Sequence, residues 1–571
     1  MPSQFSLASF FRFCNSLASL SLLILQPVAV FSANKPASTL NADQRIVQTL
    51  SRLSFGARPG DLEAVKTLGV RAYIEQQLNP DAIDDSALQK RLEKLPTLML
   101  ANPTLAEQYN PPKPKPTPTP AENSAAANIM QAESPIPTAS PAASVKPTPT
   151  PKNPGMVVTE LQRAKLLRAV YSDRQLYEVM VDFWENHFSI YANKDADRLL
   201  LTSFDRDSVR PFAMGRFRDL LGATAHSPAM MFYLDNWQSS VVREYPATKD
   251  KPARRTGGIN ENYARELMEL HTLGVGGGYT QKDVEEVARC FTGWTIRKPN
   301  EEGIFFFNPA QHDNGEKIVL GQKIAAGGGI ADGERVLDIL AKSPATAKFV
   351  VTKMARRFIG DNPPAALVNR AAAVYLKTGG SITETLRAIV TSPEFFSTGA
   401  YQTKVKSPFE FVASALRITN AETDANSPVL NWIARMGQSV YGRVTPDGYP
   451  DVRDGWLSNN DLLSRLNFAI ALTSNGIKGT KVDVKKLLPV AADDKDIAAQ
   501  VARAFLMGGQ SKETLASLDK AVASMSNTTS ASAIQITASQ WTSTPTKATT
   551  GPPLAAQLIA LTLGSPDFQR K

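Results

Sequence analysis

The residue types best suited to chemistry gather between Asn260 and Trp294. At about 100° per residue, Tyr263, Ala264, Leu267, Met268 and Leu270 share one arc of a helix, and Glu261, Asn262, Arg265, Glu266 and Glu269 fill the other side. His271 falls inside the apolar arc. An imidazole there needs a hydrogen-bond partner or a metal, because an unsatisfied buried polar group costs about 1–3 kcal/mol. It is either a core histidine satisfied by a carbonyl or carboxylate, or a ligand or proton carrier.

A second inward histidine lies on the amphipathic stretch 159–191, where Leu176, Met180, Phe183, Trp184, His187 and Tyr191 line one face. Asn186 and the Trp184 indole add polar groups that also need partners when buried. His312 and Asp313 fall at the tip of an expected β-hairpin over 303–320, built from Ile304-Phe305-Phe306-Phe307 and Lys317-Ile318-Val319-Leu320. His226, in the turn before Ser227-Pro228, reads as an exposed or capping residue.

Imidazole and carboxylate together suit zinc, iron or copper, and they equally suit proton transfer without a metal. The candidate catalytic groups are therefore His271, Glu266, Glu269 and His187. Candidate binding groups are Asn260, Glu261, Asn262, Arg265, Asn186, Trp184, His312 and Asp313, and a divalent metal, if held, falls to His187, His271 and His312. Two classes stay open: a site of acid–base or metal chemistry, and a polar binding surface that assists a partner hydrolase or holds an envelope polymer. The first requires His187 and His271 to lie close together in the interior within reach of a carboxylate, Glu266, Glu269 or Asp313, with His312 folded over them.

The elements that must position these groups are nearly all helical. Gly274 and Gly276-Gly277-Gly278 supply a stop in which positive φ costs little. Thr280 and Asp283 then form a capping-box variant that starts the next helix, with Val284, Val287, Ala288 and Phe291 as its buried stripe. The glycine run lacks the Gly-Lys-Ser/Thr of a phosphate-binding loop and follows no strand, so it reads as a turn. Long 3.6-residue periods before and after it predict an all-α, multi-helix body with one small hairpin and two disordered low-complexity insertions.

Residues 1–33 read as a secretory signal, with Arg12 before an apolar run from Leu17 to Val30 and small residues at Ser32 and Ala33. Removing it would take Cys14 away and leave Cys290 alone, a small core residue rather than a nucleophile. The mature chain is then exported to the periplasm, cell surface or medium, without a transmembrane anchor. Helices over 34–109 pack on the main body, 110–154 is a Pro/Thr-rich linker, 155–400 is the main core, and 401–571 is a second helical part with a Ser/Thr-rich insertion at 526–553. A repeated Ser-Pro-x-Phe, at Ser392 to Phe395 and Ser565 to Phe568, reads as a shared helix-ending device. The net charge of +9 is spread along the 571 residues, and no nucleic-acid signature accompanies it.

Several pieces together resemble the bacterial domain-of-unknown-function family numbered 1800. They are Arg52 to Gly56, Phe183 to Phe188, Asn260 to Val275, Gly278 to Gln281 with Asp283-Val284, Phe291 to Trp294, His312-Asp313, and the segment from Gly437-Gln438 to Trp456. The chain departs from the family pattern at Glu185, where His or Asn is commoner, and at Asp447-Gly448-Tyr449-Pro450, where Gly-Trp-Pro is commoner. The resemblance implies an exported, mostly helical protein without an established activity. It also implies a partner, an exported protein of the family numbered 1501, which is similar to alkaline phosphatases and sulfatases.

Overall fold

Side chains that close the first turn set where many helices begin. Asn41 accepts from the Gln44 N–H at 2.9 Å while the Gln44 side chain accepts from the Asn41 N–H at 3.1 Å, which starts Ala42–Leu53. Thr280 and Asp283 start Gln281–Cys290 in the same way, and Ser407 with Glu410 starts Pro408–Ile418. The Ser-Pro-x-Phe pair follows a helix in both places but opens the next turn rather than capping the last: Ser392 Oγ accepts from Phe395 N–H at 3.2 Å, and Ser565, the N-cap of Pro566–Gln569, from Phe568 N–H at 3.4 Å.

The computed structural model describes residues 38–110, 153–249, 251–487, 496–526 and 554–571. The expected signal, nearly all of the Pro/Thr-rich linker and all but the first residue of the 526–553 insertion lie outside these residues. The described chain is mostly helical, and Thr39–Lys571 forms one compact unit. No helix among the described residues is long and apolar enough to cross a membrane. Cys290 is buried and free, and burial pushes its thiol up to about 12, which removes it as a nucleophile at neutral pH.

Strands occur only in pairs among the described residues, in four antiparallel ribbons. They are β1 (Ser240–Tyr245) with β2 (Arg254–Gly258), β3 (Trp294–Arg297) with β4 (Ile304–Phe307), β5 (Lys317–Val319) with β6 (Gln322–Ile324), and β7 (Glu422–Thr423) with β8 (Thr480–Lys481). The single hairpin expected over 303–320 is therefore corrected. Ile304–Phe307 pairs backwards on Trp294–Arg297, and Lys317–Val319 pairs forwards on Gln322–Ile324. Pro309, which has no N–H to give a ladder, opens a 3₁₀ turn between the two strands. Leu320 and Gly321, both at positive φ (48° and 75°), make the tight two-residue turn that folds β5 onto β6.

Gln175–His187 is the helix on which the rest bears for function. Phe183, Trp184 and His187 look into an aromatic interior, and Asp182 and Glu185 look toward Lys165 on Gly155–Tyr171. Two helical runs are interrupted by π-helical turns, Phe204–Val209 and Leu267–Thr272. The first carries Asp205 and the second His271, and such turns recur at functional sites.

Helix Ile330–Ala341 contains a glycine whose removal tests the packing. A Cβ on Gly333 would lie 2.5 Å from Trp294 Cζ2 and 2.7 Å from Cε2. Gly333→Ala raises intrinsic helix propensity by about 1 kcal/mol, yet it should lower stability by about 1–3 kcal/mol. Urea unfolding of the two proteins measures the sign; a more stable variant would contradict the packing.

Candidate functional site

His187 and His271 meet in the interior with ring centroids 6.2 Å apart. His187 Nε2 donates to the His271 backbone carbonyl at 3.0 Å, and Phe183, Trp184, Phe188, Phe217 and Phe349 surround the ring. The carbonyl fixes the tautomer, so His187 Nδ1 is left as an acceptor, and neither it nor His271 Nε2 has a partner. Desolvation first, then the Lys353 ammonium, holds both imidazoles neutral: His271 falls to about 3, and His187 well below its ordinary value.

The carboxylate expected beside this pair is not there. Neither ring hydrogen-bonds a carboxylate among the described residues, and Glu269 instead accepts from the Tyr279 hydroxyl at 3.3 Å. Glu266 is raised by partial burial and by the nearby Glu269 and Asp447 carboxylates. The three-histidine metal centre is also corrected. His312 is buried in another network, with Nδ1 bonding the Thr292 carbonyl at 2.8 Å and Nε2 meeting Asp332 at 3.1 Å, while Lys317 Nζ bonds the same Asp332 oxygen at 2.6 Å. Among the described residues no three His, Cys, Asp or Glu side chains converge as a metal-ligand set.

Most of the polar motif residues hold backbone in place. Asn260 Nδ2 donates to the Asp235 carbonyl at 3.2 Å and Asn262 Nδ2 to the Leu234 carbonyl at 3.3 Å, fastening the start of the motif helix to the preceding turn. Glu261, Arg265 and Gln281 bond one another at 2.8–3.0 Å on the surface. The Trp184 indole N–H donates to the Ala213 carbonyl at 2.9 Å, and Asp313 takes the Arg289 guanidinium at 2.8 and 3.2 Å. His226 does cap its helix, through Nδ1 to the Gly222 carbonyl at 2.8 Å; its Nε2 meets Glu334 at 3.0 Å, which pulls that carboxyl down to about 2.

The convergent chemistry lies in a cleft on the other side of Gln175–His187. Its walls include Lys165, Asp182, Glu185, Asn186, Arg357, Lys404, Glu410, Gln438, Tyr441, Tyr449 and Trp456. It leaves about 90 Å³ for the centres of water molecules, room for several. Glu185, barely exposed, accepts from Lys165 Nζ at 2.7 Å and from the Tyr441 hydroxyl at 2.8 Å; Lys165 also reaches Asp182 at 2.8 Å. Desolvation raises Glu185 to about 7, Lys165 opposes the rise, and the Asp205 carboxylate on the π-helical turn adds to it. Asp205 itself is drawn down, against its own desolvation, by Arg210 and Arg168. The burial and the neighbouring carboxylate thus set two acids apart, one poised near neutrality and one ionised.

The far wall of the cleft is pinned by backbone. Asn186 Oδ1 accepts from Tyr449 N–H at 2.7 Å and its Nδ2 donates to the Tyr449 carbonyl at 3.0 Å. Gly448, at φ 75°, passes so close that a Cβ would sit 2.2 Å from the Asn186 carbonyl oxygen. Tyr441 holds φ 55°, a left-handed conformation that costs a non-glycine residue about 1–2 kcal/mol, and its carbonyl accepts from Ala192 N–H at 3.0 Å. Strain of this kind concentrates where the surroundings over-determine a residue's position.

The described chain is thus a helical body with paired short strands and a charged, aromatic-walled cleft. Residues 48–570 match the model of a family described as "Protein of unknown function (DUF1800)", and the chain belongs to that family. No curated protein and no solved structure matches it.

The buried histidines generate a pH test with a definite sign. Unfolded histidine titrates near 6.5, whereas the folded state resists protonation, His271 down to about 3. The unfolded chain therefore gains protons first. Stability is full above pH 6.5 and falls as pH drops from there toward 3, by up to about 1.4 kcal/mol per unit for each histidine. His271→Gln should flatten the slope between pH 6.5 and 4.5 by one proton's worth in urea titrations. An unchanged slope would mean that His271 is not buried neutral.

Proposed function

We propose that this is an exported envelope protein that binds a short, hydroxyl-rich segment of an envelope polymer in the cleft beside Glu185. The observation that carries the reading is the convergence of the Tyr441, Tyr449 and Trp456 rings with the Asp182, Glu185 and Lys165 charges around one opening. Rings offer apolar faces to the C–H faces of a sugar-like unit, and carboxylate, ammonium and amide groups take its hydroxyls. Export is supported by the signal-like pattern of residues 1–33. An exported hydrolase acting on the same polymer, such as the family 1501 protein expected from the resemblance, is the partner that a polymer holder would serve.

A second reading is favoured by one specific feature, the pair of acids set apart, Glu185 on the cleft wall and Asp205 buried behind it. Glu185 near 7, with Lys165 and Tyr441 bonded to it, has the properties of a general acid–base group. In that case the polymer is cleaved or modified rather than held, and the acid–base chemistry passes from His187 and His271, which have no carboxylate partner, to Glu185.

Calorimetric titration of the full-length secreted protein with solubilised envelope polysaccharide fragments separates these readings. Tyr449→Ala should weaken binding at least ten-fold, and Glu185→Gln should leave the fragments intact and bound. Unaltered affinity in Tyr449→Ala would sink the cleft as the binding site. Chain shortening by the native protein that disappears in Glu185→Gln would replace holding by catalysis. Deleting residues 1–33 should leave the protein in the cytoplasm; recovery of the truncated form from the periplasm would refute the signal.

A further inference from the structure

Arg52, Arg357, Lys404, Lys406, Arg465 and Lys571 are each at most 9 % exposed. They gather around the side-chain carboxylates of Glu410 and Asp361, with Asp461 a further carboxylate near Arg465. Glu410 pairs with Arg357 and Lys571, and Asp361 with Lys404 at 2.6 Å. Arg52, Lys406 and Arg465 have no carboxylate at ion-pair distance among the described residues. Six cationic side chains thus face fewer carboxylates, and positive charge is in excess.

The strain of this excess shows in the side chains themselves. Arg52 Nε and Nη1, Arg357 Nη2, and Arg465 Nε and Nη1 are buried without hydrogen-bond partners. Desolvation pushes Lys406 down to about 7 and Arg52 to about 9. A buried charge without a counter-charge costs several kcal/mol, and a guanidinium keeps its charge at neutral pH. Arg357, Lys404 and Glu410 also line the cleft, and Lys406, Glu410 and Lys571 line a neighbouring cavity of about 40 Å³, so the cluster is reached by open space from two sides.

We infer that the Arg357 and Lys404 end of the cleft binds a tetrahedral oxyanion, phosphate or sulfate, carried free or as an ester on the polymer. This rests on the cleft being a ligand site, and it names a group that the ligand carries. The fork of a guanidinium and the point charge of an ammonium together match several acceptor oxygens spread over a tetrahedron, and a dianion offsets more of the excess than a chloride or a single carboxylate. Glu410 does not repel such a guest strongly, because Arg357, Lys571 and the Ser407 N–H, at 3.0 Å, already engage its carboxylate.

The test is calorimetry and thermal unfolding of the full-chain protein, purified without phosphate or sulfate, against sodium phosphate, sulfate, acetate and chloride at matched ionic strength. Phosphate or sulfate should bind at least ten-fold tighter than acetate or chloride and raise Tm by several degrees, and Arg357→Gln and Lys404→Gln should each weaken binding at least ten-fold. Equal response to all four salts, or full phosphate affinity in Lys404→Gln, overturns the inference; the latter variant serves if Arg357→Gln fails to fold. A polysaccharide bearing phosphate or sulfate esters that outbinds its ester-free form, with the gain lost in Lys404→Gln, assigns the anion to the polymer. Binding of inorganic phosphate alone assigns it to the free ion. If Tyr449→Ala leaves polymer binding unchanged while phosphate still binds through Arg357 and Lys404, the polymer reading fails and the anion site stands. If neutral fragments bind but no oxyanion does, the polymer reading stands and the anion site fails.

Discussion

The burial of Glu185 between Lys165 and Tyr441 is the constraint to which the surrounding structure answers. A carboxyl group in that position is tolerated only with its oxygens engaged, and the two donors come from parts of the chain far apart in sequence, the helix Gly155–Tyr171 and the segment after Gly437. The same charge requires that Asp205 have its own cations, Arg168 at 3.4 Å and Arg210 at 3.9 Å, and Arg210 in turn is held by Glu178 at 2.5 Å. Removing a member leaves its neighbours charged and desolvated, which costs more than the lost bond alone.

Gln175–His187 separates two environments of opposite character. On one side, aromatic rings exclude water and keep two imidazoles neutral; on the other, cations and carboxyls surround a cleft that admits water. The helix can serve both because Asp182 and Glu185 lie roughly opposite His187 on its circumference, so a difference of one or two residues in sequence becomes a change of solvent. Asn186, between them, spends both ends of its amide on the Tyr449 backbone, which fixes the aromatic wall relative to the helix.

Much of the fold was legible because helix periodicity and capping are local. Thr280 with Asp283 and the inward faces of His187 and His271 follow from residues within a turn or two of one another, whereas the Ser-Pro-x-Phe repeats, expected as helix endings, open the turn that follows. The strand partners of 303–320 were misread because pairing is non-local: Ile304–Phe307 chose the earlier Trp294–Arg297, and the Leu320-Gly321 turn lacks the usual Asn-Gly. The site was legible only in outline. Glu185 stood out as a departure from the family pattern and the Gly437 to Trp456 segment was recognisable, but Lys165, Asp205, Arg357, Lys404 and Glu410 carry no local mark; an ordinary surface lysine and a buried one look alike in sequence. The polar face of the Asn260 motif suggested chemistry where the structure shows fastening, because Asn and Glu serve turns and caps as readily as ligands.

The π-helical turn at Leu267–Thr272 gives the motif a sensitivity of another kind. Leu273 N–H reaches back five residues to the Met268 carbonyl at 2.8 Å, and Thr272 Oγ1 to Leu267 at 2.6 Å. Such a turn is an α-helix that has absorbed one extra residue. Losing one residue there would abolish the five-residue step from Leu273 N–H to Met268 and force the inward side chains of the turn, His271 among them, onto ordinary α spacing. In this stretch chain length is therefore a structural specification in its own right, apart from residue type.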